Sequence, residues 1–489
     1  MIDILLFQPA LITREKISFS AISNGLIALA LYLKQKGLKV KICHFNGWTR
    51  GLEEFVQKKV FQYRPRNVGI NLTWHTHCYQ ALKIAETIKN VNKNIKVCLG
   101  GFTASFFDKE ILDFVQQDSM SRGINPYIDC IIRGDGEKPL FKFITKQKIP
   151  KTNTSYIDKN GDFVRNPLVY IQKKLPSIKL KWKMNEFIDS WSDYIQRSDI
   201  RTSVPGIENK VGHNVAQKEF HLYIGKGCRN NCCYCGGGRN VQKLLSGRYS
   251  PIFRPLNNVI YDIHQLSKNG IKTVYIDFDP DPNRKYYKKL FKKLDKQNLN
   301  LIFSAWSGPL DYVLLVKMGK IFNEIEIIIS IETGSERLRK ELLKNGFGRA
   351  PFYTNKQLIE FLDELKKRNF KLMVYFISGL PWETKKDWQK TLMLGKKLSR
   401  NYKKLFIKSY DTIITRNLCA PPLYIEPGSP IYMNSNDFQM CLSRKSFKDY
   451  INNSKNPNAG SLLGVYRCKF KSEEKVISST KEFVNFVSN

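Results

Sequence analysis

No apolar run in the sequence approaches the roughly 20 residues that a membrane-spanning helix needs, so nothing in it supports a helical membrane span. Its start, Met1-Ile-Asp-Ile-Leu-Leu-Phe-Gln-Pro9, has neither the basic lead nor the small-residue cleavage site of a secretory leader,. Eleven cysteines without a leader fit a reducing compartment, and a cytoplasmic protein is expected,. Acidic residues are scarce: 43 Asp+Glu stand against 80 Lys+Arg, a formal charge of +37. Such an excess invites a nucleic-acid or anionic-membrane partner. The lysines, however, are dispersed as on solvated amphipathic helices, for example Lys285-Tyr-Tyr-Lys-Lys-Leu-Phe-Lys-Lys293,. RNA is therefore not the favoured partner, although the excess tilts the expectation toward an anionic substrate, partner or reductase.

What is present is a globular composition, 42% hydrophobic and 12% aromatic, on 489 residues, enough for two or three domains with full cores,. The chain is organised around Gly225-Lys-Gly-Cys-Arg-Asn-Asn-Cys-Cys-Tyr-Cys-Gly-Gly-Gly238. Cys228, Cys232 and Cys235 are spaced C-x3-C-x2-C, which lets one loop bring three thiolates around a cubic iron–sulfur cluster and leaves one of its irons open,. The flanking glycines leave backbone N–H groups free to face the cluster's negative charge. Tyr234 puts a ring beside whatever binds the open iron. A zinc knuckle is the alternative, with Cys233 as fourth ligand. Such knuckles pair two C-x2-C units, and no second unit exists here: Cys43, Cys78, Cys98 and Cys130 are dispersed, and Cys441 and Cys468 are isolated,.

This loop, with its aromatic before the last cysteine, resembles that of the radical S-adenosylmethionine (SAM) superfamily. The resemblance implies a [4Fe–4S] cluster whose open iron chelates the amino and carboxylate groups of SAM.

Residues 1–148 read as a Rossmann-like, flavodoxin-type α/β domain. Strand-like runs Ile2–Phe7, Lys39–His44, Asn67–Leu72, Lys96–Leu99 and Tyr127–Ile132 alternate with helical patterns Ile22–Lys36, Leu52–Gln62 and Tyr79–Val91. A parallel sheet of this order binds ligands at the carboxyl ends of its strands. Those ends carry Thr73-Trp-His-Thr-His77, Gly100-Gly101 and Gly134-Asp-Gly-Glu137. With a barrel following, the arrangement resembles the cobalamin-binding domain of many radical SAM enzymes, which implies cobalamin contacts from Thr73, Trp74, Gly100, Gly101, Gly134 and Glu137. Two departures stand out: the loop Gln8 to Ser20 has no histidine to serve as a lower cobalt ligand, and Gly100-Gly-Phe-Thr103 replaces a Gly-Gly-x-His pattern. Trp74, His75 or His77 could line the lower face.

Residues 149–218 form a connector with a hairpin signal at Asn160-Gly161 and a break at Pro205-Gly206,. Residues 219–432 repeat strand then helix: Phe220–Ile224, Thr273–Phe278, Leu301–Ala305, Ile325–Ile331, Lys371–Ile377 and a last strand beginning at Leu405–Ile407. Six such units close into a partial (β/α)6 barrel with its site at the strand carboxyl ends. The family resemblance gives SAM contacts to Glu332, Gly334 and Ser335 after the fourth strand and to Ile377 and Gly379 after the fifth. It gives one to Asp279 after the second, where aspartates replace a Gly-Gly-Glu-like segment, and one to Tyr234. Tyr424-Ile-Glu-Pro-Gly-Ser-Pro430 resembles a segment of the cobalamin-dependent subgroup, and 433–489 is a short, α-rich C-terminal extension.

The whole resembles a cobalamin-dependent radical SAM enzyme. The resemblance implies reductive cleavage of SAM, hydrogen abstraction from an unactivated carbon of a small-molecule, lipid or peptide substrate, and methylation from methylcobalamin. Rearrangement, cyclisation or oxidation without methyl transfer is the alternative. It also implies an electron donor such as flavodoxin or ferredoxin. A non-catalytic, cluster-bearing RNA-binding protein is the reading from another class, and the charge is its main support.

Overall fold

A computed structural model describes residues 1–10, 21–45, 51–180, 183–197, 218–406, 418–455, 466–469 and 471–488. The expectations for the loop at 11–20 and for Pro205-Gly206 lie outside the described residues. The chain divides into two compact units: Met1–Ser203 with Val241–Arg248 and Arg444–Asn458, and Val204–Asn240 with Tyr249–Ser443 and Ala459–Asn489.

The first unit is built on a seven-stranded sheet of order β2-β1-β3-β4-β5-β6-β7. Strands β1 (Ile2–Gln8), β2 (Val40–His44), β3 (Pro65–Asn71), β4 (Lys96–Gly100) and β5 (Cys130–Ile132) are parallel. The order reverses between β1 and β3, the switch point where ligands of doubly wound sheets bind. The connector's hairpin, β6 (Thr154–Ile157) and β7 (Phe163–Arg165), continues this sheet antiparallel to β5. Helix Cys78–Val91 buries Ala81, Ile84, Ala85 and Ile88, the stripe that its 3.6-residue period predicts,.

The second unit holds six parallel strands in strict sequence order, β8 (Glu219–His221), β11 (Thr273–Ile276), β12 (Asn300–Ala305), β13 (Ile325–Glu332), β14 (Lys371–Phe376) and β15 (Leu418–Cys419). Between β8 and β11 in sequence come β9 (Gly225–Lys226) and β10 (Ile252–Phe253), paired antiparallel, with the cysteine loop after β9 and then the helix Arg239–Ser246, whose residues from Val241 on belong to the first unit. Sequential order with a helix after each strand is the winding of a partial βα barrel. One expectation is corrected in part: Lys403–Leu405 is a 3-10 turn, Ile407 lies outside the described residues, and among the described residues the sixth strand is β15. The helices begin where side chains cap them. Ser335 accepts from Leu338 N, and Thr354 with Gln357 and Thr384 with Asp387 form capping boxes,. Across β8, β11 and β12, His221 packs its ring 4.5 Å from Tyr275, whose hydroxyl lies 3.1 Å from Ser304 Oγ.

Candidate functional site

The cysteine loop is wound by its own backbone: Cys235 N donates to Cys232 O (3.1 Å) and Arg239 N to Asn230 O (2.8 Å). All three predicted ligand sulfurs face N–H donors. Cys228 has those of Arg229 and Asn230, Cys232 has the Arg349 guanidinium, and Cys235 has Gly237 N at 3.3 Å. Burial pushes these thiols up, Cys232 to about 12, and the N–H groups and Arg349 pull the other way. N–H groups aimed at sulfur are what iron-bound thiolates require. Cys233 is different. It lies in the apolar core with Leu338, Leu342, Leu380, Leu423, Ile431 and Phe438. Its backbone alone serves the loop, accepting from Ile431 N (2.9 Å) and donating to Phe347 O (3.2 Å). The N–H donors at the three sulfurs suit cluster ligation, and Cys233 is a core residue.

Beside the loop, Tyr234 donates to Glu332 Oε1 at 2.5 Å. Arg349 places Nε 2.9 Å from the same oxygen and an Nη 2.9 Å from the Tyr234 hydroxyl, over the face of Trp306. Glu332 is buried and takes φ +67, where β13 slips register against β14. A non-glycine residue there is strained, and such strain persists where surrounding structure enforces it, commonly at binding sites. Both contacts engage Oε1, so Oε2 keeps acceptor capacity for a ligand. A second brace comes from 424–430: Glu426 N donates to Tyr234 O (3.0 Å), and its carboxylate accepts from Gly236 N (2.5 Å). Burial pushes that carboxyl up to about 7, against the opposing pull of Gly236 N–H and the Cys235 thiol.

The other predicted SAM residues have visible structural duties. Gly334 N donates to Thr391 Oγ1 (3.0 Å), and Ser335, capping its helix, donates to Asp387 (2.5 Å). Ile377 N donates to Glu332 O (2.8 Å), tying the two strand-end loops together. Gly379 has φ +76, and a Cβ there would lie 2.6 Å from the Tyr466 hydroxyl. Tyr466 fills that side, so a flat ligand has only the other side of the peptide. Asp279 is buried with both oxygens on Arg284 (3.1 and 2.9 Å) and a bond from Ser307 N (2.8 Å). Asp277, two residues earlier, is the open carboxylate of that loop, 35% exposed and 3.2 Å from His221 Nδ1. Sequence reasoning missed Arg349 and Glu426. The first stands in no motif, and the second lay unassigned within a recognised segment.

In the first unit the ends of β1, β3 and β4 are joined by polar bonds. Asn71 Nδ2 donates to Gln8 Oε1 (2.9 Å), Thr73 Oγ1 to Asn71 Oδ1 (2.8 Å), and Thr103 Oγ1 to Thr73 O (2.8 Å). Gly101 has φ +113, and a Cβ would strike the Leu72 and Thr73 backbone at 2.7 Å, so only glycine permits this join with Gly100,. Trp74 stands 47% exposed at the same end. His75, against Tyr450, and His77 are buried and kept neutral, their pKa values lowered by burial to about 3 and about 4. Gly134 N donates to Ser105 Oγ (3.3 Å), and Asp135 pairs with Arg248 (2.5 Å). Glu137 is buried at the N-terminus of helix Glu137–Lys146.

Two family models match successive parts of the chain. The radical SAM superfamily profile matches residues 222–395 and the B12-binding domain profile matches residues 11–143. The chain belongs to the cobalamin-dependent radical SAM enzymes, whose cofactors are a [4Fe–4S] cluster, SAM and cobalamin. An uncharacterised methyltransferase of Pyrococcus horikoshii is 23% identical over 359 residues, 71% of this chain and 67% of its own. The anaerobic magnesium-protoporphyrin IX monomethyl ester cyclase of Rubrivivax gelatinosus is 22% identical over 379 residues, 75% of this chain and 60% of its own. Among solved structures, the radical SAM methyltransferase TsrM of Kitasatospora setae, with tryptophan substrate and a SAM analogue, aligns with a TM-score of 0.62 at 15% identity, covering 88% of this chain and 74% of that one. The same enzyme with cobalamin and a [4Fe–4S] cluster bound aligns at 0.58 and 16% identity, covering 81% and 73%.

Proposed function

We propose that this enzyme methylates an unactivated carbon of its substrate. The cluster supplies an electron for cleaving SAM and cobalamin supplies a transferable methyl group. The observation that carries the reading is the constellation at the barrel mouth: three sulfurs facing N–H donors, beside a Tyr234–Glu332–Arg349 triad. Cys228, Cys232 and Cys235 would hold the cluster. Arg349 would offset its negative charge, and Glu332 Oε2 would accept from the ribose hydroxyls of SAM. Thr73, Trp74 and the Gly100-Gly101 join would receive cobalamin at the switch point. Likeness to TsrM in fold and to the Pyrococcus protein in sequence supports methyl transfer over other radical chemistry.

A second reading, ring formation or oxidation without net methylation, is favoured by the similarity to the Rubrivivax cyclase. Anaerobic reconstitution with iron, sulfide and hydroxocobalamin, then dithionite and SAM, separates them. Methylation predicts both 5′-deoxyadenosine and S-adenosylhomocysteine; the second reading predicts deoxyadenosine alone. The free cysteines and the absence of an apolar helix long enough to cross a membrane among the described residues support a cytoplasmic setting with a flavodoxin- or ferredoxin-type donor.

A further inference from the structure

The C-terminal segment returns to the loop that follows β14. The Tyr466 hydroxyl donates to Ser378 O (3.2 Å) and accepts from Leu423 N (3.0 Å), while Val476 O accepts from Ser378 Oγ (3.3 Å). Lys471 goes deeper. Its Nζ lies 2.9 Å from Glu383 Oε2 and 4.0 Å from the centre of the Trp388 ring, with both charged side chains buried. The same carboxylate oxygen accepts from Gly379 N at 3.1 Å. One oxygen thus lies against both the ammonium and the backbone at the start of the turn; the Lys471 contact is an ion pair outside hydrogen-bond geometry, and the carboxylate's other oxygen, Oε1, is buried without a hydrogen-bond partner. The turn takes positive φ at both ends of its run, +76 at Gly379, where glycine adopts it freely, and +56 at Trp382, where it is strained,. A bulky residue at positive φ holds only where neighbours over-determine it. At Trp382 those neighbours are Phe438, stacked on its ring, and Arg337, which donates to its carbonyl (3.0 Å); Lys471, from a distant part of the chain, acts through Glu383 on the Gly379 end.

We propose that Lys471 is a positioning residue for SAM: through Glu383 it fixes the Gly379–Trp382 turn in the shape that receives the nucleoside. This rests on the proposed SAM-cleaving function and on the SAM contacts that the family resemblance implies for Ile377 and Gly379. Lys471 touches neither the cluster loop nor the triad at Glu332, so its effect is on the geometry of one wall. The C-terminal segment is then part of the SAM-binding machinery.

The test is equilibrium binding of SAM to reconstituted full-length protein, with the KM and kcat of deoxyadenosine formation beside it, for wild type, Lys471→Met and Lys471→Arg. The expected result is at least tenfold weaker SAM binding and a matching rise in KM for Lys471→Met, with a smaller change in kcat, normal iron content, and recovery to within threefold in Lys471→Arg. Thr480→Val removes a bond from the same segment to Ala420 O (3.1 Å) without touching Glu383; its SAM affinity should match wild type. If Lys471→Met does not fold, Lys471→Met/Glu383→Gln, which buries no unpaired charge, takes its place with the same tenfold expectation. SAM affinity within twofold of wild type in the variant, or an equal loss in Thr480→Val, overturns the positioning role. Wild-type protein that binds no SAM overturns the functional reading itself.

Discussion

Arg349, 17% exposed, pairs with the buried Glu332, Nε to Oε1 at 2.9 Å, and the same guanidinium reaches both the Tyr234 hydroxyl and the Cys232 sulfur. One side chain therefore joins the cluster loop to the strained end of β13. Removing it leaves a buried carboxylate uncompensated, which typically costs about 3–5 kcal/mol. Arg349→Gln should lower the melting temperature and cut deoxyadenosine formation at least tenfold. Arg349→Lys should recover the stability better than the activity, since an ammonium lacks the planar fork that spans three partners. Thermal melts and product quantification check both.

Cys233 is a core residue in this account. Cys233→Ala should keep a full complement of iron and the cluster's absorption, at a cost of about 1 kcal/mol, while Cys232→Ala should lose the cluster. Iron and sulfide analysis of the two reconstituted variants distinguishes this from a four-cysteine site.

Much of this was legible beforehand. The grouping of Cys228, Cys232 and Cys235 on one loop is set by their spacing, and the parallel sheets follow from apolar runs alternating with amphipathic stretches. What the sequence could not disclose are partnerships between residues far apart in the chain. Asp279 stands at the expected strand end, in aspartates that depart from the family segment, and Arg284 and Ser307 occupy it. Gly379 reads as open in the sequence, yet Tyr466 lies against it. Arg349 and Lys471 lie in stretches without periodicity or motif, so their roles exist only in the folded chain.

Trp74 is the exposed aromatic at the carboxyl end of β3, whereas His75 and His77 are buried. Trp74→Ala should weaken cobalamin retention about tenfold, or about 1.4 kcal/mol. His77→Gln should leave the electron paramagnetic resonance of bound cob(II)alamin unchanged, without nitrogen splitting from a histidine in either protein. Gel filtration and that spectrum provide the check.

Asp387 accepts from Arg337, Ser335 and Thr384, and although burial alone would raise its pKa, these bonds hold it well below the usual carboxylate range. Its contribution is therefore full above the unfolded value near pH 3.9 and is lost as pH falls below it. Asp387→Asn should cost about 2 kcal/mol at pH 7, and the gap to wild type should narrow toward pH 3. Urea titrations at the two pH values read the difference.

The central claim, that one chain couples a SAM-cleaving cluster to cobalamin methyl chemistry, is tested most directly with trideuteromethyl-labelled SAM. Reconstituted protein carrying reduced cobalamin should transfer the label onto the bound cobalamin and release S-adenosylhomocysteine, and it should form 5′-deoxyadenosine only while Cys228, Cys232 and Cys235 are intact. Deoxyadenosine formation with no label on retained cobalamin and no S-adenosylhomocysteine would contradict it.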